Sequence, residues 1–228
     1  MQNKPQKLKI DNLRQIEPIT DNQNIAFNDW KKGNHLILNG SAGTGKTFMG
    51  IYLALEQVLD KSTPYDQVIV IRSIVPTRDI GFLPGDEEEK KEAYTGPYKS
   101  ICTELFDDST AWLKLTNFDT VQFMSTSFIR GVTLSNAIVV VDEMQNLNGH
   151  ELDSVITRLG SDCRMIMCGD YYQSDFHRQG DREGITKFLS IVEKLNRFSV
   201  VEFGWQDIVR SGIVRDYIMT KEMMKINL

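Results

Sequence analysis

Residues 36–57 read LILNGSAGTGKTFMGIYLALEQ: a short apolar run, a turn with three glycines, then a segment with helical spacing. The turn GSAGTGKT matches the phosphate-loop pattern G-x-x-x-x-G-K-[ST], and it has the strand before it and the helix after it that the pattern requires. Gly40, Gly43 and Gly45 let the backbone from Gly40 through Ser41, Ala42 and Thr44 wrap closely, so that its N–H groups face phosphate oxygens. The following helix presents its positive N-terminus to the same place. Lys46 supplies a cation for β and γ phosphates, and Thr47 can place its hydroxyl on Mg²⁺.

Outward from this loop, short apolar runs at residues 35–39, 67–72, 120–124, 138–142, 165–169 and 199–203 read as strands. Residues 46–59, 98–105, 149–159, 183–195 and 206–224 read as helices between or after them. Such alternation predicts an α/β fold, a parallel sheet covered on both faces. The strand AIVVVD ends in Asp142 and Glu143, where a P-loop protein needs acidic groups beside its metal. Asp142 is expected to hold Mg²⁺, directly or through water, and Glu143 to orient and deprotonate an attacking water. A second carboxylate there suits hydrolysis better than transfer to a substrate hydroxyl. A further strand, RMIMCGD, brings Asp170 and Gln173 to a strand's carboxyl end, where Gln173 is expected to touch the γ-phosphate and report its presence.

Composition bounds the rest. A chain of 228 residues with 41% hydrophobic and 25% charged residues has the make-up of a globular protein, and at roughly 100 to 200 residues per domain it is read as one domain, residues 19–228, behind an arm, residues 1–18. Disorder, collagen and coiled coil are excluded. The net charge of -5 argues against tight, sequence-independent attachment to nucleic acid, although a local basic groove stays open. The longest apolar run, near residues 137–141, is far short of the ~20 residues that cross a bilayer, and no apolar segment backs the basic start. A cytoplasmic protein without a membrane span is expected. Cys102, Cys163 and Cys168 read as reduced core residues, and His35, His150 and His177 form no metal constellation. Residues 81–99 combine turn residues with a mixed charge run, either a solvated loop or a functional surface.

Together GSAGTGKT, VVVDEMQN (residues 139–146) and GDYYQSD (169–175) resemble the nucleotide-binding core of the PhoH family, a branch of RecA-like P-loop ATPases related to superfamily 1 helicases. GFLPGD (81–86), FIRGVTL (128–134), TRLG (157–160) and DIVRSGIV (207–214) resemble further segments of that family, in its order. The resemblance covers about residues 20–217 and looks like the compact, stand-alone form common in bacteriophage genomes, which would place the protein in the host cytoplasm. It implies a RecA-like three-layer sandwich with a central, mainly parallel sheet, ATP and Mg²⁺ as cofactors, and the roles given above to Lys46, Thr47, Asp142, Glu143 and Gln173. Gln23, upstream of the P-loop, matches the family's adenine-reading glutamine and is otherwise a polar loop residue. Two departures stand out: Met144 in DEMQ where the family more usually has Ala, and Ser73 after Arg72 where it often has Pro, which leaves any role for Arg72 open.

A single RecA-like domain lacks the second half that completes a helicase site. The resemblance therefore implies a homo-oligomer, a hexameric ring in which a neighbour supplies an arginine; Arg158 and Arg210 are the candidates, with Arg130 facing RNA or single-stranded DNA. Lys187, Arg197, the arm lysines Lys4, Lys7 and Lys9, and the aromatic rings of Phe128 or Tyr94 are candidates for the same nucleic-acid groove. The leading expectation is ATP hydrolysis, with helicase action as the least secured extension of it. Its rivals are a slow nucleotide-dependent switch or scaffold, and a small-molecule P-loop kinase, whose lid would carry the arginines that residues 81–99 lack.

Overall fold

Apolar residues on alternate positions of six strands divide between two separate cores, and this division sets the architecture. The strands are β1 (His35–Gly40), β2 (Gln67–Arg72), β3 (Val121–Ser125), β4 (Ala137–Asp142), β5 (Cys163–Gly169) and β6 (Phe198–Phe203). In the computed structural model, which describes residues 6–73, 87–129, 131–170 and 179–224, they form one sheet in the order β3-β2-β4-β5-β1-β6 with every pair parallel. Leu36, Leu38, Val68, Val70, Ile138 and Val140 face one core, while Ile37, Ile69, Ile71, Val139 and Val141 face the other. Burial on both faces is why these strands read as unbroken Val/Ile/Leu runs.

Helices α1 (Asp21–Lys31), α2 (Lys46–Leu59), α3 (Glu87–Phe106) and α4 (Ala111–Asn117) cover the first face, and α5 (Gly149–Thr157) and α6 (Gln179–Val192) the second. The result is the RecA-like three-layer sandwich expected from the sequence. A last helix, α7 (Gly212–Met223), buries no residue. No helix among the described residues is long and apolar enough to cross a membrane.

All six strands lie where alternation put them, but the helices differ in instructive ways. Helix α1 was not expected, because Asn and Asp between its apolar residues favour turns over helix. It forms because Thr20 caps it, its hydroxyl accepting from Gln23 N at 3.3 Å, and because Gln23, Ala26, Phe27 and Trp30 make one buried stripe. Helix α3 begins at Glu87, inside residues 81–99, whose turn residues and charges leave a solvated loop and a functional surface both open, and runs through Gly96 and Pro97. Its stripe of Tyr98, Cys102 and Leu105 is buried against the sheet, and that burial outweighs the local cost of Pro97. The segment read as an arm lies along the domain: Leu13 is buried, Ile10 and Ile16 pack on the core, and Arg14 N donates to Leu105 O at 2.8 Å.

Candidate functional site

The P-loop leaves β1 at the carboxyl edge of the sheet, beside the point where the chain reverses direction across it, the usual ligand crevice of open α/β sheets. Gly40, Gly43 and Gly45 all have positive φ, at 123°, 75° and 82°. Gly40 has a second reason to lack a side chain, since a Cβ there would overlap the backbone of Phe203. The loop is tied to the C-terminal segment by Ser41 N donating to Phe203 O and Val209 N donating to Gly43 O, both at 3.0 Å. The Ser41 hydroxyl also donates to Glu222 of α7 at 3.0 Å. Lys46 Nζ folds back to donate to Gly40 O and Ser41 O, each at 2.7 Å, and burial pulls its pKa down.

Asp142 and Glu143 close the other side of the crevice. Thr47 Oγ1 donates to Asp142 Oδ1 at 2.7 Å, so the two residues expected at the metal are already in contact. Glu143 has left-handed backbone, φ 52°, at the turn out of β4. Its carboxylate accepts from Gln145 Nε2, and Gln145 Oε1 accepts from Asp170 N at 3.0 Å. The P-loop, Arg72, Asp142, Glu143, Asp170 and Arg210 line a cavity of about 670 Å³, with Pro97 and Ile101 of α3 forming a wall. Hard oxygen donors at Thr47 and Asp142, with room beside them for phosphates, fit Mg²⁺, which takes one or two carboxylates and completes its shell with phosphate and water.

A second cavity of about 640 Å³ shares Gly43, Gly45, Phe48 and Arg210 with the first and is walled by Phe27, Met49 and Val209. Its apolar wall suits the face of a nucleotide base, and Arg14, Glu17, Glu104 and Arg210 line the rest of it. Gln23 lines it, buried, with Nε2 donating to Thr44 O at 3.2 Å and Oε1 accepting from Ile19 N at 2.9 Å. A carboxamide has one further N–H and one further lone pair to offer.

Comparison with known proteins bears on this site as a whole. Residues 15–222 match the family of PhoH-like proteins, and the chain is 32% identical over 180 residues to Protein PhoH of Escherichia coli (strain K12), covering 78% of this chain and 50% of that one. The chain belongs to the PhoH family. It is also 31% identical over 190 residues to a PhoH-like protein of Bacillus subtilis (strain 168), covering 82% and 58% of the two chains, so it spans about half the length of these relatives. Among solved structures, the large terminase of a thermophilic bacteriophage superposes with a TM-score of 0.50 at 12% identity, over 93% of this chain and 51% of that one, a likeness of fold.

In this PhoH-family domain the arginines singled out from sequence separate. Arg210 lines both cavities of the chain that carries it, its Cγ 3.0 Å from where a Gly43 Cβ would stand. Arg158 caps α5, and its carbonyl accepts from Leu134 N just ahead of β4, so it sits at the edge where strands begin, away from its own P-loop. Gln173, Arg130, Lys4 and the GFLPGD segment lie outside the described residues. Three residues of the site carried no expectation: Tyr98, whose hydroxyl donates to Asp142 Oδ2 at 2.8 Å, Gln145, and Glu104 between the two cavities. Burial, and then the charge of Asp142, pushes the Tyr98 pKa up and keeps its proton on. Gln145 was legible as part of DEMQ; Tyr98 and Glu104 belong to no motif.

Proposed function

We propose that this domain hydrolyses ATP with Mg²⁺. The observation that carries the reading is the pairing of Asp142 with Thr47 beside a Glu143 carboxylate at the same cavity. Lys46, released from the Gly40 and Ser41 carbonyls by a competing phosphate, neutralises the β and γ oxygens. Glu143 accepts a proton from water as the water oxygen bonds the γ-phosphorus. The bond from that phosphorus to the bridging oxygen breaks, leaving ADP and phosphate. Thr47 and Asp142 would hold Mg²⁺, which would supply charge neutralisation for the leaving oxygens. Gln145 keeps the Glu143 carboxylate in place between turn and strand.

The same reading extends to a homo-oligomer, a hexameric ring working on RNA or single-stranded DNA, with Arg158 offered to a neighbour and helicase action as its furthest form. Gln173 is its sensor for the γ-phosphate and Gln23 its adenine contact, the latter supported by the spare hydrogen-bonding capacity of a side chain on the wall of the second cavity.

Steady-state hydrolysis with and without RNA and single-stranded DNA tests this reading, with Glu143→Gln as the control. Turnover that requires Mg²⁺ and vanishes in the mutant supports it, and stimulation by one polymer names the track. Retained ATP binding without turnover in the unmodified chain refutes it in favour of a nucleotide switch.

A further inference from the structure

Arg72 ends β2, directly opposite Asp142 in the parallel register. It lines the same cavity as the P-loop, and its side chain is 23% exposed. Two tyrosines of α3 cradle it. Its guanidinium neighbours Tyr98, whose hydroxyl donates to Asp142, and lies 5.9 Å from the centre of the Tyr94 ring, a cation–π distance. Its contact with Asp142 Oδ2 is 3.7 Å, an ion pair longer than a hydrogen bond. A guanidinium has five N–H donors in a planar fork to offer to the cavity it lines.

We propose that Arg72 binds the γ-phosphate of the nucleotide held by its own subunit, supplying from within the chain an arginine that reads ATP against ADP. The inference rests on the ATPase reading above. A divalent cation held by Asp142 would repel a guanidinium that leans on the same carboxylate, and a terminal phosphate would offer the fork two oxygens at matching spacing. Lys46 follows β1 and Arg72 ends β2, two strands separated in the sheet by β4 and β5, so the two cations approach the cavity from different strands. A cis arginine at the end of a central strand is held by the sheet itself and needs no neighbour to be in place.

The test is nucleotide binding, measured by fluorescence of ribose-labelled ATP and ADP with Mg²⁺ on a Glu143→Gln background. Arg72→Gln is expected to weaken ATP roughly ten- to hundredfold, the worth of a charge-assisted hydrogen bond, and to leave ADP within about twofold. Arg72→Lys is expected to recover only part of the loss, because a point charge does not replace the fork, and it carries the test if the Gln variant fails to fold. Equal weakening of ATP and ADP, or no change in either, overturns the proposal and reduces Arg72 to a prop for Asp142. Mixing Arg72→Lys chains with Glu143→Gln chains gives the second readout: recovery of turnover would make the arginine act across subunits and also overturn it. Because binding is read without turnover, a chain that never hydrolyses ATP sinks the ATPase reading alone.

Discussion

Tyr98 in α3 and Asp142 at the end of β4 are joined by a hydrogen bond of 2.8 Å to Oδ2, while Thr47 holds Oδ1 at 2.7 Å. The carboxylate is thus oriented from both sides. Tyr98→Phe removes one donor from a buried carboxylate, with an expected cost of about 1–2 kcal/mol and a fall in melting temperature of roughly 2–8 °C. The Mg²⁺ concentration for half-maximal turnover is expected to rise as well. A variant unchanged in both melting and Mg²⁺ dependence would show that Thr47 suffices.

Gly169 backs onto Gln145. A Cβ at Gly169 would overlap Gln145 Oε1 and stand 2.7 Å from Met144 Cγ, so Gly169→Ala must push the side chain that holds Glu143. Displacing a catalytic group by about 1 Å can cost roughly 100-fold in rate, and the loss is expected in kcat with little change in KM. Normal turnover in a folded Gly169→Ala chain would remove Gln145 from the positioning role.

Two glycines with positive φ separate local strain from steric overlap. Gly33, φ 94°, has nothing within 4 Å of a Cβ, so Gly33→Ala is expected to cost about 1 kcal/mol. Gly40, φ 123°, would drive a Cβ into Phe203, so Gly40→Ala is expected to cost more than about 4 kcal/mol, near the whole stability of a domain. Chemical denaturation of both chains checks the contrast, and similar values would mean that β6 gives way at little cost.

His35 makes stability depend on pH. Its ring stacks on Phe198 with centroids 4.7 Å apart, and Nδ1 accepts from Met165 N at 3.1 Å. Burial, followed by the charges of Arg164 and Arg197, lowers its pKa from 6.5 to about 4. Between those values the unfolded chain binds a proton that the folded chain refuses, so stability is full above pH 6.5 and falls as pH drops toward 4. With part of the ring in solvent the change is on the order of 1–2 kcal/mol. His35→Asn keeps an acceptor without the titration, and an undiminished slope in its melting temperature over this range would clear His35 of the effect.

Arg158 and Arg210 are expected to fail differently. If Arg158 completes a neighbour's site, Arg158→Ala lowers turnover roughly 10³-fold, and admixture of Glu143→Gln chains, dead but carrying Arg158, restores part of it. Arg210, over its own Gly43, is expected to affect nucleotide affinity and to show no such rescue. Turnover of the Arg158→Ala chain near the unmodified level removes it as the shared residue.

Wherever a local pattern repeats within one element, the chain order alone was enough. The P-loop, its flanking strand and helix, the Asp142–Glu143 strand end and all six strands follow from spacing, because strand alternation and glycine conformation are properties of neighbours in sequence. What no spacing carries is the meeting of residues from distant elements. Tyr98 lies 44 residues from Asp142 and within a helix that Gly96 and Pro97 argue against, yet burial on the sheet keeps it helical and aims its hydroxyl at the carboxylate. Gln23 reaches Thr44 only because α1 packs beside the P-loop, and Arg72 faces Asp142 only because β2 and β4 are neighbours in the sheet though not in the chain. Local chemistry decided which groups handle phosphate; the strand order, driven by burial on both faces, decided which other groups stand around them.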